Sequence, residues 1–202
     1  MSLSKVGLGF AGLAGVSGAG YLGLRNLSSE SKESFKTKYA LAVKDFLSDD
    51  TILGKKLTSL SASGASTPKH KDLVSAQEHK KANRENEAKT ALKRGCSDIH
   101  DKPVDSDFFE DFKNYCSFNN GDKLEQGKTV VSANGDFTSK WTSFNGKSSD
   151  ELQKGFKTIN KPTDGASNTT WQATMLAECK KLSLEIFEGT ISNFVEFCSK
   201  QA

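Results

Sequence analysis

Val6-Gly-Leu-Gly-Phe-Ala-Gly-Leu-Ala-Gly-Val-Ser-Gly-Ala-Gly-Tyr-Leu-Gly-Leu24 is a run of nineteen residues without a charge, bracketed by Lys5 and Arg25. As a helix it is roughly 28 Å long, close to the hydrocarbon thickness of a bilayer. Seven of the nineteen are glycine. Glycine weakens a helix in water by about 1 kcal/mol relative to alanine and fills a soluble core poorly. In lipid the helix is enforced, because unpaired backbone groups have no water to turn to. The stretch predicts an N-terminal transmembrane or signal-anchor helix over residues 1–25. Ala11, Gly15, Ala19 and Gly23 fall four apart and form a ridge of small residues, the pattern that lets two membrane helices approach closely. Such a ridge would allow helix-mediated self-association in the lipid bilayer, although a Gly-rich run also shows this spacing by chance.

The flanks bear on the fate and side of this segment. Ser17-Gly18-Ala19 resembles a small-residue cleavage site, and removal of the segment gives a secreted protein. An uncleaved single-pass anchor in the cell membrane is the expectation. Arg25, Lys32, Lys36 and Lys38 follow the span and only Lys5 precedes it, which favours a cytoplasmic body. The four cysteines argue for an oxidising exterior. They are given the greater weight, and the domain is expected to be extracellular.

Composition limits the rest. The 202 residues carry 28 Lys+Arg against 25 Asp+Glu, so the chain is not a strongly basic nucleic-acid binder, and no nucleic-acid partner is expected. Three prolines and seventeen glycines exclude collagen-like or proline-rich material, while thirteen phenylalanines and two tryptophans are too many for a wholly disordered chain. A mean hydropathy of −0.53 excludes a polytopic membrane protein. Residues 1–102 hold 17 basic and 11 acidic groups, so the basic excess sits near the expected anchor.

After Arg25, Ser28-Ser29-Glu30-Ser31 reads as a helix start. Phe35, Tyr39, Val43 and Phe46 then recur at four, four and three, predicting an amphipathic helix over residues 26–47 that packs on the domain. Thr58 to Pro68 is a linker by composition, and Lys69 to Arg94 is rich in Lys, Glu, Ala, Asn and Gln. Residues 48–102 therefore read as a polar linker or spacer, with pairs such as Glu85–Lys89 in a solvated helix that has no face to bury. The globular C-terminal domain is expected over 103–202. Asp105 or Ser106 is placed to cap a helix carrying Phe108, Phe109, Phe112, Tyr115 and Cys116. Lys128–Val131 and Asp136–Phe144 read as a β-hairpin about Asn134-Gly135. Ser149 opens a helix with Leu152, Phe156 and Ile159. A long last helix from Ser167 or Asn168 carries Trp171, Met175, Cys179, Leu182 and Ile186, then Phe194, Val195, Phe197 and Cys198, with a bend at Glu188-Gly189. The fold class is mainly α with a possible small β-hairpin.

Cys96, Cys116, Cys179 and Cys198 are candidate disulfide partners, with three pairings formally open. Cys116 with Cys179 would bridge two helix faces, and Cys96 with Cys198 would tie the start of the domain to its end. Cys96 and His100 are four apart, but no second ligand pair of zinc-site spacing exists, and neither a metal nor a cofactor is expected. His70 and His79 fall in the solvated spacer. No G-x-S-x-G, H-E-x-x-H, P-loop or strand-borne G-x-G-x-x-G occurs. Asp105, Asp107, Glu110 and Asp111 suit a helix N-terminus. Asn26-Leu-Ser28 and Asn168-Thr-Thr170 match the glycosylation sequon.

The Lys5-flanked Gly/Ala span, the Ser/Lys-rich spacer and the sparse cysteines ending in Phe197-Cys198 resemble the uncharacterised paralogous membrane-anchored or exported proteins of haemotropic mycoplasmas. The resemblance covers the layout of the whole chain. It implies a membrane-anchored or exported, host-facing variable antigen, and it transfers no catalytic residue. The expected function is that of a surface protein acting as an interaction or antigenic module, without catalysis, on a host or self protein. Two alternatives are an exported hydrolase using His100 with a nearby Cys or Ser, and a membrane-tethered scaffold facing the cytoplasm.

Overall fold

Residues 32–202 are described by the structure, a computed structural model, and Glu33–Ala202 packs as one unit. The expected membrane helix, with Ala11, Gly15, Ala19 and Gly23, and the Ser28–Ser31 helix start lie outside the described residues. Among the described residues no helix is long and apolar enough to cross a membrane.

The stripe Phe35, Tyr39, Val43 and Phe46 packs on the body, but not as one helix. It rides on α1 (Phe35–Lys38), α2 (Ala40–Val43) and a 3-10 turn at Phe46–Ser48. The helix breaks at Tyr39, with φ −109° and ψ 43°, and again at Asp45, which sits in the left-handed region at φ 62°. These breaks wrap the stripe around its neighbours. Phe35 and Phe46 are fully buried, with Tyr39 and Val43 packed beside them.

The polar spacer expected over 48–102 is corrected. It forms α3 (Asp50–Ser61), α4 (Lys71–Lys81) and α5 (Glu85–His100). Asp49 Oδ1 accepts the N–H of Ile52 at 3.0 Å to start α3, and His70 Nδ1 accepts that of Asp72 at 3.2 Å to start α4. A face to bury does exist. Leu53, Leu57 and Leu60 on α3 meet Leu73 and Ala76 on α4 and Ala88, Leu92 and Ile99 on α5. Much of it is alanine and glycine, which read as neutral in a sequence but let helices lie close together. A Cβ on Gly95 would come within 3.1 Å of Leu73 Cδ2 and 3.2 Å of Asp72 Cβ. Gly95→Ala is therefore expected to stay near wild-type stability, because the gain in helix propensity of about 1 kcal/mol offsets a small shift. Gly95→Leu overpacks the contact and is expected to cost about 1–3 kcal/mol, read as a lower urea midpoint. The first cluster is closed by α6 (Phe109–Tyr115), whose Phe112 and Tyr115 point inward. This helix begins at Phe109, and its N-cap position is Phe108, not Asp105 or Ser106.

The second half gathers around Phe137, Phe144, Phe156, Trp171, Met175 and Phe197. The expected hairpin is not formed. Strand β1 (Lys128–Val130) pairs antiparallel with the C-terminal β2 (Ser199–Gln201), Thr129 opposite Lys200. The Asn134-Gly135 stretch instead starts a 3-10 helix, Asn134–Lys140, that runs into α7 (Trp141–Gly146). Asp136 closes that first turn by accepting the N–H groups of Ser132 and Ala133 at 2.9 and 3.0 Å. The Lys200 ammonium, 2.9 Å away, acts with those two bonds to hold the Asp136 carboxyl down at about 2. Phe137, Trp141 and Phe144 then recur at four and three, a helical period.

Leu152, Phe156 and Ile159 are buried as their spacing suggests, yet no α-helix carries them. The chain is extended at Gln153, and Lys154 enters the left-handed region at φ 51° before a 3-10 helix at Lys154–Thr158. The long last helix is two: α8 (Thr169–Ser183), capped by Asn168 Oδ1 on the Trp171 N–H at 2.6 Å, and α9 (Ser192–Cys198). Gly189, at φ 132°, lies in the connection between them. The domain boundary expected at 103 thus falls inside a folded unit that begins near residue 33.

Candidate functional site

Every cysteine of the chain is in a disulfide, and the pairing differs from the expected one. Cys96 is joined to Cys116 and Cys179 to Cys198, with Cα–Cα distances of 5.0 and 5.3 Å. Each bond closes a local loop instead of linking distant parts. The reason lies in the helix ends. Cys116 follows α6, which folds back along α5, and Cys198 ends α9, which folds back along α8. All four sulfur-bearing residues are fully buried.

His100, weighed as a general base, is 7 % exposed at the end of α5. Its Nε2 lies 2.7 Å from the carbonyl oxygen of Cys116, so that nitrogen carries the proton and donates it. Phe46 and Phe112 stand edge-on to its ring. Cys96 and Cys116 are joined to each other, so neither offers the thiol that a Cys–His pair requires. Burial lowers the His100 pKa, outweighing the opposing pull of the Cys116 carbonyl and Asp101. The unfolded chain then binds the extra proton more readily than the folded one. Stability is full above the ordinary value near 6.5 and is lost as the pH falls through the folded value. Melting temperatures between about pH 7.5 and 5 are expected to fall with pH, with a flatter profile in His100→Gln.

His70, read as solvated, is also buried. Its Nε2 lies 2.9 Å from Asp98 Oδ2, and its backbone N–H and that of Lys69 donate to Asp111 Oδ2. Asp111 therefore anchors the start of α4, a role its place on α6 did not suggest. Asn168, the sequon residue, has its amide nitrogen on Asp164 at 2.9 Å while its oxygen caps α8. Among the described residues, no three His, Cys, Asp or Glu side chains gather as a metal site would require.

One cleft among the described residues encloses about 490 Å³. The ends of α3, α6 and α8 converge on it, and at its base sits Lys56, 5 % exposed. The Lys56 ammonium is 2.8 Å from Asp122 Oδ2 and donates to Asn119 Oδ1. Asn119 in turn donates its amide to the carbonyls of Lys113 at 3.0 Å and Leu184 at 3.1 Å, and its backbone N–H to Asp122. One buried cation thus meets a carboxylate and an amide, and the amide in turn holds carbonyls at the C-terminal ends of α6 and α8. Burial lowers the Lys56 pKa, and Asp122 opposes that shift. Lys55, exposed, and Leu184, 64 % exposed, stand at the rim with Ser59, and the buried Tyr115 lines the wall. The two groups bonded to Lys56 are the protein's own, so its ammonium holds the walls of the cleft in place.

Lys56 is not singled out in the sequence, because residues 48–102 read as linker, and Asn119-Asn120-Gly121-Asp122 reads only as turn chemistry. The signal was present. Leu53, Leu57 and Leu60 recur at helical spacing, and Lys56 lies on the same face. No protein-family model, curated protein or solved structure matches this chain.

Proposed function

We propose that this chain is a single-span membrane-anchored surface protein whose helical body works outside the cell as an interaction or antigenic module, without catalysis. The observation that carries the reading is that all four cysteines are buried in two disulfides. Such bonds form and persist in oxidising surroundings and are rare where thiols are kept reduced. The uncharged Val6–Leu24 stretch supplies the anchor in this reading, by its length and flanks. The host-facing role implied by the resemblance to haemotropic mycoplasma proteins belongs to the same proposal. The cleft over Lys56, with a cation and an exposed leucine at its rim, supplies the concave surface that a host or self protein would enter.

The test is protease treatment of intact cells of the source, followed by fractionation. The expected result is digestion of the body from outside, with the full-length chain of untreated cells in the membrane fraction. Protection of the body in unbroken cells would favour the cytoplasm-facing scaffold. Recovery of the intact chain in the soluble cytosol would overturn both.

A further inference from the structure

Lys56-Leu57-Thr58-Ser59-Leu60 on α3 and Lys140-Trp141-Thr142-Ser143-Phe144 at the start of α7 are the same pattern, 84 residues apart. Downstream of each lies a long helix with a cysteine on its buried face. In α5 the buried positions Leu92, Cys96 and Ile99 are spaced four and three. In α8 Met175, Cys179 and Leu182 repeat that spacing at an offset of 83. Each long helix is followed by a connection of eight residues, 101–108 and 184–191, and then by a helix of seven. Those short helices lead into Phe112-Lys-Asn-Tyr115-Cys116-Ser117 and Phe194-Val-Glu-Phe197-Cys198-Ser199, at an offset of 82.

The correspondence extends to contacts. Each disulfide joins the long helix to the end of the short one, across separations of 20 and 19 residues. The serine after each second cysteine donates to the carbonyl four residues back, Ser117 to Lys113 and Ser199 to Val195. Lys56 reaches Asn119 and Asp122, just past Cys116. Lys140 donates to the carbonyls of Glu196 and Ser199, at 2.9 and 2.8 Å, either side of Cys198. Burial lowers the pKa of both lysines. Each half has its own apolar cluster. They differ in between, where the first half has α4 and the second has only 3-10 turns.

A shared pentapeptide alone could arise by chance. A lysine, a helix cysteine, a connection length and a terminal Phe-x-x-aromatic-Cys-Ser, in one order with offsets drifting only from 84 to 82, have a simpler origin. We infer that the body is a tandem pair of one unit, residues 46–122 and 130–200, each closed by its own disulfide and its own lysine and each holding its fold when the other is opened. The seam between them runs along residues 118–120 and 182–187. Asn119 donates its amide to the Leu184 carbonyl, Asn120 bonds to the carbonyls of Leu182 and Glu185, the Phe187 N–H bonds to the Phe118 carbonyl, and Ile186 and Phe187 lie against the first cluster.

Hydrogen–deuterium exchange on the full chain tests this, comparing Cys96→Ala/Cys116→Ala, Cys179→Ala/Cys198→Ala, Lys56→Met and Lys140→Met. The first and third are expected to speed exchange in α3, α5 and α6, by tenfold or more for the cysteine pair, and to leave α8 and α9 within twofold of wild type. The second and fourth are expected to do the converse. Loss of protection in α5 and α8 together, in either cysteine-pair variant, would show one indivisible fold and overturn the inference. A lysine variant that loosens the other half would do the same.

Discussion

Replacing all four cysteines by alanine, or reducing both disulfides, is expected to leave the body largely unfolded at physiological temperature. Each bond closes a loop of about twenty residues, and the chain-entropy account assigns such a loop about 3 kcal/mol of stabilisation. Two of them together approach about 6 kcal/mol, against total stabilities of roughly 5–15 kcal/mol for ordinary domains. For a half of about seventy residues each kcal/mol moves the melting temperature by about 4–8 °C. Loss of one disulfide is therefore expected to lower the melting temperature of its own half by about 12–24 °C, and loss of both to lower both halves. Thermal melts with and without a thiol reductant measure the effect. A melting temperature indifferent to reductant would mean that the two bonds are not what closes these loops.

The second large effect belongs to Lys56 and Asp122. Removing one partner of a buried ion pair leaves the other charge uncompensated, at a cost of about 3–5 kcal/mol. Asp122→Ala is expected to fall in that range, since it strands an ammonium whose side chain is only 7 % exposed and also removes the acceptor for the Asn119 N–H. Lys56→Met/Asp122→Leu is expected to lose clearly less than the two single changes added together, because an apolar pair of similar volume avoids the stranded charge. The pH dependence gives a second signature. Asp122 opposes the burial-driven lowering of the Lys56 pKa, so its removal lowers that pKa further. The unfolded chain then binds the proton better, and Asp122→Ala is expected to gain stability as the pH rises toward the ordinary lysine range. Urea titrations of the two single variants and the double, at neutral and alkaline pH, read both effects.

Much of the helical architecture is legible in residue spacing. Trp171, Met175, Cys179 and Leu182 mark α8, and Asn168 marks its start, because an amphipathic stripe and an amide cap are local signals. Phe112 and Tyr115 mark α6 in the same way. The burial of Leu152, Phe156 and Ile159 is also legible, though the irregular backbone carrying them is not. Spacing reports which residues share a face, while a left-handed residue such as Lys154 is set by its tertiary surroundings. The spacer failed for a different reason. A face made of Ala76, Ala88, Ala91 and Gly95 has little hydrophobicity of its own and gains its value from how closely a second helix can approach. The strand at Lys128–Val130 was legible, but its partner was not. Ser199–Gln201 is distant in sequence, and two short strands carry no register signal across such a gap. The disulfide pairing turned on the same point. The cysteines' helix faces were correct, and the sharp return of α6 along α5 and of α9 along α8 was not visible until the connections at 101–108 and 184–191 were seen to reverse the chain.

The candidate site shows how that error propagates. Lys56 projects from a helix whose sequence reads as linker, so nothing local marks it as a buried cation paired with Asp122. The repeat is masked similarly, because its first lysine-bearing pentapeptide falls in a stretch that reads as spacer and its second in one that reads as strand.

Peptide mapping of the unreduced protein, isolated from its source with free thiols blocked at lysis, tests the central claim most directly. Each half of the body is closed by its own buried disulfide, in a compartment where such bonds persist. The expected digest contains one linked pair holding Cys96 and Cys116, a second holding Cys179 and Cys198, and no blocked cysteine. Linked peptides joining Cys116 to Cys179, or four blocked cysteines, would contradict it.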